Sequence, residues 1–273
     1  MRIALEDIAE HQLSVALEGV DNLPVDSDLA LQAGITTPVN WANYASALPY
    51  GLRWLLSHRG RRFGFAWLAA PAKRTSDILL AGGLLLLALP MMAAAAVAVR
   101  MMSPGPIFYT QERCGRNGRS FKIIKFRSMV PDAEERIDEM VELAKATELR
   151  TSDAPMFKSA DDPRITTVGR FLRRTGIDEL PQLLNVLRGE MSLVGPRPLV
   201  PDEARTLGLV VAGLRHAVRP GLTCLWQVLR TSDTSFDERI QLDLLYTRRR
   251  SLVLDLALIA MTPVALVVGD SSH

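Results

Sequence analysis

Two adjacent carboxylates, Asp178 and Glu179, are the side chains of this sequence best placed to do chemistry. They stand in Arg173-Arg174-Thr175-Gly176-Ile177-Asp178-Glu179-Leu180-Pro181-Gln182, where a basic segment runs into a new helix. Leu180, Leu183, Leu184 and Leu187 fall at i, i+3, i+4 and i+7, the spacing of one buried helical face. Pro181 suits a first turn, where its missing N–H removes no helical bond. Asp178 is therefore expected at a helix N-terminus, where unpaired N–H groups and the macrodipole favour negative charge and keep a carboxylate ionised. A phosphate is welcome in the same place. An acidic N-cap on an ordinary helix has the same signature, so the company these residues keep has to decide between the two.

That company is basic. Lys125, Arg127, Arg164, Arg170, Arg173, Arg174, Arg197 and Arg219 cluster in the same half of the chain. The planar guanidinium fork matches phosphate oxygens, and several in one region suit a polyphosphate better than a lone carboxylate. Arg197 stands out because Pro196 and Pro198 fix its direction. Neither G-x-x-x-x-G-K-[ST] nor G-x-G-x-x-G occurs, so any phosphate site is built from side chains. A carboxylate can act as a covalent nucleophile towards phosphorus, with a divalent cation screening the repulsion.

The elements that must position these groups begin with an apolar run. Ile78–Val99 holds no charge, and its 22 residues would make a helix about 33 Å long, enough to cross a bilayer core. Pro90 falls near its middle and removes a helical bond. Both flanks are basic (Arg59, Arg61, Arg62, Lys73 and Arg74 before; Arg100, Arg113 and Arg116 after), so both ends prefer the cytoplasmic side. A re-entrant helix that breaks at Pro90 and a kinked spanning helix are the two readings. Further on, Ile107–Thr110 and Phe121–Phe126 read as strands joined by the loop Cys114–Arg119. A charged helix is expected from Pro131 towards Leu149, and another over Val168–Arg174. Leu252–Val268 is a second apolar stretch, interrupted by Asp255 and Pro263 and so expected to lie at the interface. Residues 1–72 carry an acidic first part and an aromatic, basic second part that suits either an interfacial helix or a small subdomain.

Composition narrows the classes further. The 273 residues are 48% apolar with a net charge of only +2, which argues against nucleic acid as partner. The two cysteines, Cys114 and Cys224, make no C-x-x-C pair, which fits a reducing compartment, and the four histidines lack metal-ligand spacing.

From Lys73 to Val268 the sequence resembles the monotopic bacterial sugar transferases, the polyprenyl-phosphate phosphoglycosyl transferases. The resemblance is carried in order by Lys73-Arg74-Thr75-Ser76-Asp77, Pro104-Gly105-Pro106-Ile107-Phe108, Gln111-Glu112-Arg113-Cys114-Gly115, Phe121 to Met129, Asp162-Pro163-Arg164-Ile165-Thr166, Asp178-Glu179-Leu180-Pro181-Gln182, Met191 to Pro198, Arg219-Pro220-Gly221-Leu222-Thr223 and Leu242 to Tyr246. It implies an enzyme that passes a phosphosugar from a nucleotide diphosphate sugar, such as a UDP-sugar, to undecaprenyl phosphate. The reaction would start exopolysaccharide, capsule or O-antigen assembly, with Mg²⁺, on the cytoplasmic face of the bacterial inner membrane. Carried over by position, Asp178 is the nucleophile, Glu179 a metal ligand or proton handler, Arg197, Arg173 and Lys125 are phosphate contacts, and Pro90 is the break of the re-entrant helix. Leu89 stands where better-known members have serine before that proline, and Cys224 replaces a common glycine.

The expected fold is α+β and mainly helical, with a short β-hairpin and amphipathic interfacial helices. Its expected division is an N-terminal extension (1–72), a re-entrant membrane helix (73–102), a catalytic domain (103–250) and an apolar interfacial segment (251–273). A homodimer is left open. The competing reading is a non-catalytic anchor that holds anionic lipid and recruits polysaccharide enzymes. An ordered Asp-Glu pair and a rigid Pro-Arg-Pro favour the enzyme.

Overall fold

The computed structural model describes residues 66–133, 136, 162–229 and 234–268. The readings made for residues 1–65 and most of the charged helix after Pro131 lie outside these.

Helix α1 (Ala66–Met102) contains the apolar run and extends it in both directions. It does not stop at Pro90. Proline withholds one N–H, the bond that the Leu86 carbonyl would have accepted, but its fixed φ suits a helix and the turns on either side keep their own bonds. The expected interruption is thus a lost hydrogen bond inside continuous helix. One stripe of α1 is covered: Asp77, Ala81, Ala88, Met92, Ala95 and Val99, spaced by three, four or seven residues and so on one helical face, are buried. The remainder of the apolar surface, including Leu79, Leu86, Leu87 and Met101, is exposed. Only 17% of its most apolar stretch is covered by protein, which suits lipid and not a core helix.

The basic flanks turn out to be spent partly on the fold. Arg74 donates to the carbonyls of Val186 (2.6 Å) and Leu187 (2.8 Å), and Arg113 is buried. Among the described cations counted as topology signals, Arg100 and Arg116 are exposed.

After α1, strands β1 (Phe108–Cys114) and β2 (Ser120–Phe126) form the expected antiparallel hairpin, with Tyr109 opposite Lys125 and Gln111 opposite Ile123. Strand β2 buries Ile123 on one face and Phe126 on the other. Helix α2 (Thr167–Thr175) starts where the Thr166 hydroxyl accepts the Gly169 N–H at 2.9 Å. It ends at Gly176, whose left-handed conformation (φ 71°) turns the chain directly into a 3₁₀ segment, Ile177–Gln182. Helix α3 (Leu183–Arg188) follows.

Strand β3 (Ser192–Val194) pairs in parallel with β4 (Gly221–Thr223). Between them lie the Pro-Arg-Pro turn and helices α4 (Pro201–Thr206) and α5 (Leu209–Arg215). Gly195 and Gly221 face each other so closely that a Cβ on either would strike the other's backbone. Helices α6 (Leu225–Leu229), α7 (Phe236–Arg249) and α8 (Leu252–Val268) complete the chain. Helix α8 runs through both Asp255 and Pro263, because Asp255 points inward to partners and does not meet lipid.

The largest core joins Ala81 of α1 to Leu183 and Val186 of α3, Leu193 of β3, Leu225 of α6, Leu242 and Leu245 of α7, and Leu254 and Leu258 of α8. A second core places Ala88, Met92, Ala95 and Val99 against Phe126, Leu172 and Ile177. The long apolar helix, the hairpin and the C-terminal helix therefore share their interiors.

Candidate active site

Gly176 sets the position of the two carboxylates. The turn it makes puts Asp178 and Glu179 in the first turn of the 3₁₀ segment, against β2, where the Glu179 N–H donates to the Gly176 carbonyl at 3.2 Å. The regular helix begins only at Leu183, so the leucine stripe spans a 3₁₀ turn and a short α-helix. Asp178 is buried, with 8% of its surface exposed. Glu179 is partly open, and the hairpin delivers Lys125 to it.

Lys125 Nζ lies 2.7 Å from Glu179 Oε1, and Arg197 Nη2 lies 3.8 Å from the same oxygen. The two adjacent acids consequently differ in proton affinity. Burial first, then the neighbouring Glu179 charge, pushes Asp178 up from its ordinary 3.8 to about 6, against the pull of Lys125, Arg173 and Arg197. Burial pushes Glu179 up as well, but Lys125 and Arg197 overcome it and hold that carboxyl down at about 2. Asp178 therefore keeps its proton to a higher pH than the helix-terminus argument implies, while still ionising at neutral pH. Burial outweighs the favourable charges around it.

The expected basic residues separate into two groups. Lys125 and Arg197 converge on Glu179, and together with Glu179, Gln182 and Pro198 they line a small cavity of about 10 Å³. Arg173 stands behind Asp178, with its Nε donating to the Ser128 hydroxyl at 2.8 Å. Three others brace the fold, and two lie exposed. Arg127 donates to the carbonyls of Ser103 and Pro104, both at 2.8 Å. Arg164 pairs with Asp162 at 2.8 Å. Arg219 donates to the Gly189 carbonyl at 2.8 Å and so closes the end of α3. Arg170 and Arg174 lie on the exposed side of α2.

Sequence reasoning gave Arg113 no role in the site. It lines the same cavity as Glu179 and Arg197, donates to the Pro198 carbonyl at 3.1 Å, and has a buried Nε with no partner among the described residues. The available signal was strand alternation, since Arg113 lies opposite Phe121 on the hairpin. Trp226 was also missed; its ring lies 5.8 Å from the Arg197 guanidinium and 5.1 Å from that of Arg239. Cys224, at the departure from the usual glycine, is buried and its thiol donates to Gln227 Oε1 at 3.0 Å.

No group of three or more metal-ligating side chains occurs among the described residues. Two carboxylates alone suit Mg²⁺ only when substrate phosphates and water complete its shell, the usual way that ion is bound.

The site thus combines a buried acid of raised affinity for protons, a pinned acid beside it and convergent cations, in a domain that carries one long, largely uncovered apolar helix. The profile of the bacterial sugar transferase family matches residues 68–269, and the chain belongs to that family. It is 40% identical over 205 residues to the exopolysaccharide production protein ExoY of Rhizobium meliloti (strain 1021), covering 74% of this chain and 88% of that protein. It is 41% identical over 201 residues to the undecaprenyl-phosphate galactose phosphotransferase of Salmonella typhimurium. It is 38% identical over 197 residues to the UDP-glucose:undecaprenyl-phosphate glucose-1-phosphate transferase of Escherichia coli (strain K12). These last two are longer proteins, of which the match covers 41% and 39%, against 74% and 70% of this chain.

Proposed function

We propose that this protein transfers a sugar phosphate from a UDP-sugar to undecaprenyl phosphate, initiating exopolysaccharide synthesis, through a covalent intermediate on Asp178. The observation that carries this reading is the division of labour between the adjacent acids. Glu179 is anchored by Lys125 and Arg197, while Asp178 is lifted to about 6, so it is ionised at neutral pH yet more basic, and hence more nucleophilic, than an ordinary carboxylate.

In the first half-reaction an Asp178 oxygen attacks the phosphorus bearing the sugar. The bond from that phosphorus to the bridging oxygen breaks, and the nucleoside monophosphate leaves with its electron pair. In the second, an oxygen of undecaprenyl phosphate attacks the same phosphorus, the bond to Asp178 breaks, and the lipid diphosphate sugar departs. Lys125, Arg197 and Arg113 stabilise charge on the phosphate oxygens. Arg173 limits the cost of ionising Asp178. Mg²⁺ would be held by Glu179 with the donor phosphates, and would neutralise part of their charge.

The proposed topology is re-entrant, with both ends of α1 and the cleft on the cytoplasmic face. It is supported by the buried stripe from Asp77 to Val99, which docks both halves of α1 on the domain that holds the cleft. An anchor protein has no need for neighbouring acids of such different proton affinity. Purified protein given a UDP-sugar labelled at the β-phosphorus should move label into organic solvent only with undecaprenyl phosphate present. Label released to water as free sugar phosphate at the same rate without lipid would mean hydrolysis and overturn the transfer reading.

A further inference from the structure

A second charged cluster lies away from the cleft, where α1, α7 and α8 meet. Asp77 and Asp255 are 3% and 4% exposed, and Tyr246 is 2% exposed. Lys73 Nζ is 3.3 Å from Asp77 Oδ1 and 2.8 Å from Asp255 Oδ2, so one lysine joins the two apolar helices. Burying these charges beside lipid-facing helices is costly, and apolar residues of similar volume would hold the helices together at least as well. Cohesion alone therefore does not account for the cluster.

Three of its four members, Lys73, Asp77 and Tyr246, also reach one strand. Asp77 Oδ1 accepts the Leu193 N–H and the Ser192 hydroxyl, both at 3.1 Å. The Val194 carbonyl lies 3.3 Å from Lys73 Nζ and 3.0 Å from the Tyr246 oxygen, which is itself 2.7 Å from Asp255 Oδ1. Lysine's three N–H bonds thus have three acceptors in reach, Asp77, Asp255 and Val194. Three residues after Val194 comes Arg197, whose carbonyl accepts from Arg215, and Arg215 is paired with the buried Asp243 at 2.7 Å. The segment from Ser192 to Arg197 is held at its start by charges on the membrane helices and at its tip by a buried ion pair.

The geometry points to Lys73, Asp77, Tyr246 and Asp255 as positioning residues that set the reach of Arg197 over the cleft, making turnover depend on α1 and α8 being docked together. The inference rests on the sugar-phosphate transfer reading and extends it to residues that touch no substrate. Arg197 lies 3.8 Å from Glu179, so a small displacement of Val194 decides whether its fork meets a phosphate squarely.

The test is a double-mutant cycle on the full chain in lipid nanodiscs. Tyr246→Phe keeps the ring and removes the hydroxyl; Asp255→Asn keeps the shape and removes the charge. Each is measured alone and with Arg197→Lys, which retains enough turnover for comparison. Each variant should lower kcat about tenfold in the wild-type background and less than about twofold beside Arg197→Lys, while lowering Tm equally in both. Unchanged kcat, or the same fold loss in both backgrounds, would leave the cluster a structural one and overturn the inference. If Asp255→Asn fails to fold, Tyr246→Phe decides alone. A wild type without transfer activity overturns the underlying reading too, whereas an active wild type with uncoupled variants overturns only this step.

Discussion

Replacing Asp178 by Asn should stabilise the protein at pH 7.5, whereas replacing its neighbour Glu179 by Gln should destabilise it. Burial and the Glu179 charge raise Asp178 from 3.8 to about 6. A group with a raised value supports the fold while it keeps its proton. That support is complete below about 3.8 and is lost as pH rises through about 6. The displacement (6 − 3.8 = 2.2) corresponds to about 3 kcal/mol at neutral pH, at about 1.4 kcal/mol per tenfold change in proton affinity. Asparagine resembles the neutral acid and should recover much of this.

Glu179 works in the other direction. Lys125 and Arg197 outweigh its burial and lower it from 4.5 to about 2, so its support is present above about 4.5 and lost as pH falls through about 2. Here too the displacement (4.5 − 2 = 2.5) is worth about 3 kcal/mol, and Glu179→Gln forfeits it at pH 7.5. For a domain of roughly 200 residues each kcal/mol moves Tm by about 2–4 °C, so shifts of up to about 6–12 °C of opposite sign are expected. The assay is thermal unfolding in detergent, followed by tryptophan fluorescence at pH 7.5 and pH 4. At pH 4 the gain from Asp178→Asn should shrink, because wild-type Asp178 is then protonated. Destabilisation by Asp178→Asn at pH 7.5, or an equal gain at both pH values, would refute the reasoning.

Single-turnover release of UMP should rise with pH through a limb near 6, as Asp178 loses its proton, and a flat profile from pH 5 to 8 would contradict that. Arg197→Lys should cost about 100-fold in kcat/KM with Tm unchanged, because a point charge cannot replace the fork. Arg219→Lys should do the reverse, keeping turnover while weakening the closure at Gly189, as melting and steady-state rates together would report. Arg113→Lys should raise the donor KM by about tenfold and leave the acceptor KM alone, since Arg113 lines the Glu179 cavity.

Much of the site was legible because its parts are local. The Asp178–Glu179 pair follows a glycine turn, Arg197 sits between prolines, and the hairpin and α8 obey simple periodicities. Less legible were the roles of the remaining arginines. In sequence Arg113, Arg127, Arg164 and Arg219 look alike, and only tertiary contacts show one lining the cleft and three bonded to backbone or a buried acid. The protonation of Asp178 depends on burial that no helix-terminus argument supplies. Lys73, Asp77 and Asp255 could be read only as flanking or interrupting charges, because their partners lie more than a hundred residues away along the chain.

The central claim is a phosphosugar carried on Asp178, and intact mass spectrometry of the protein incubated with a UDP-sugar and no lipid acceptor tests it most directly. The account expects the wild-type mass to rise by one phosphosugar with UMP released in equal amount, the adduct to map to Asp178 and to vanish on adding undecaprenyl phosphate, and Asp178→Asn to stay unmodified. Wild-type protein that remains unmodified yet turns over fully once lipid is added would contradict it.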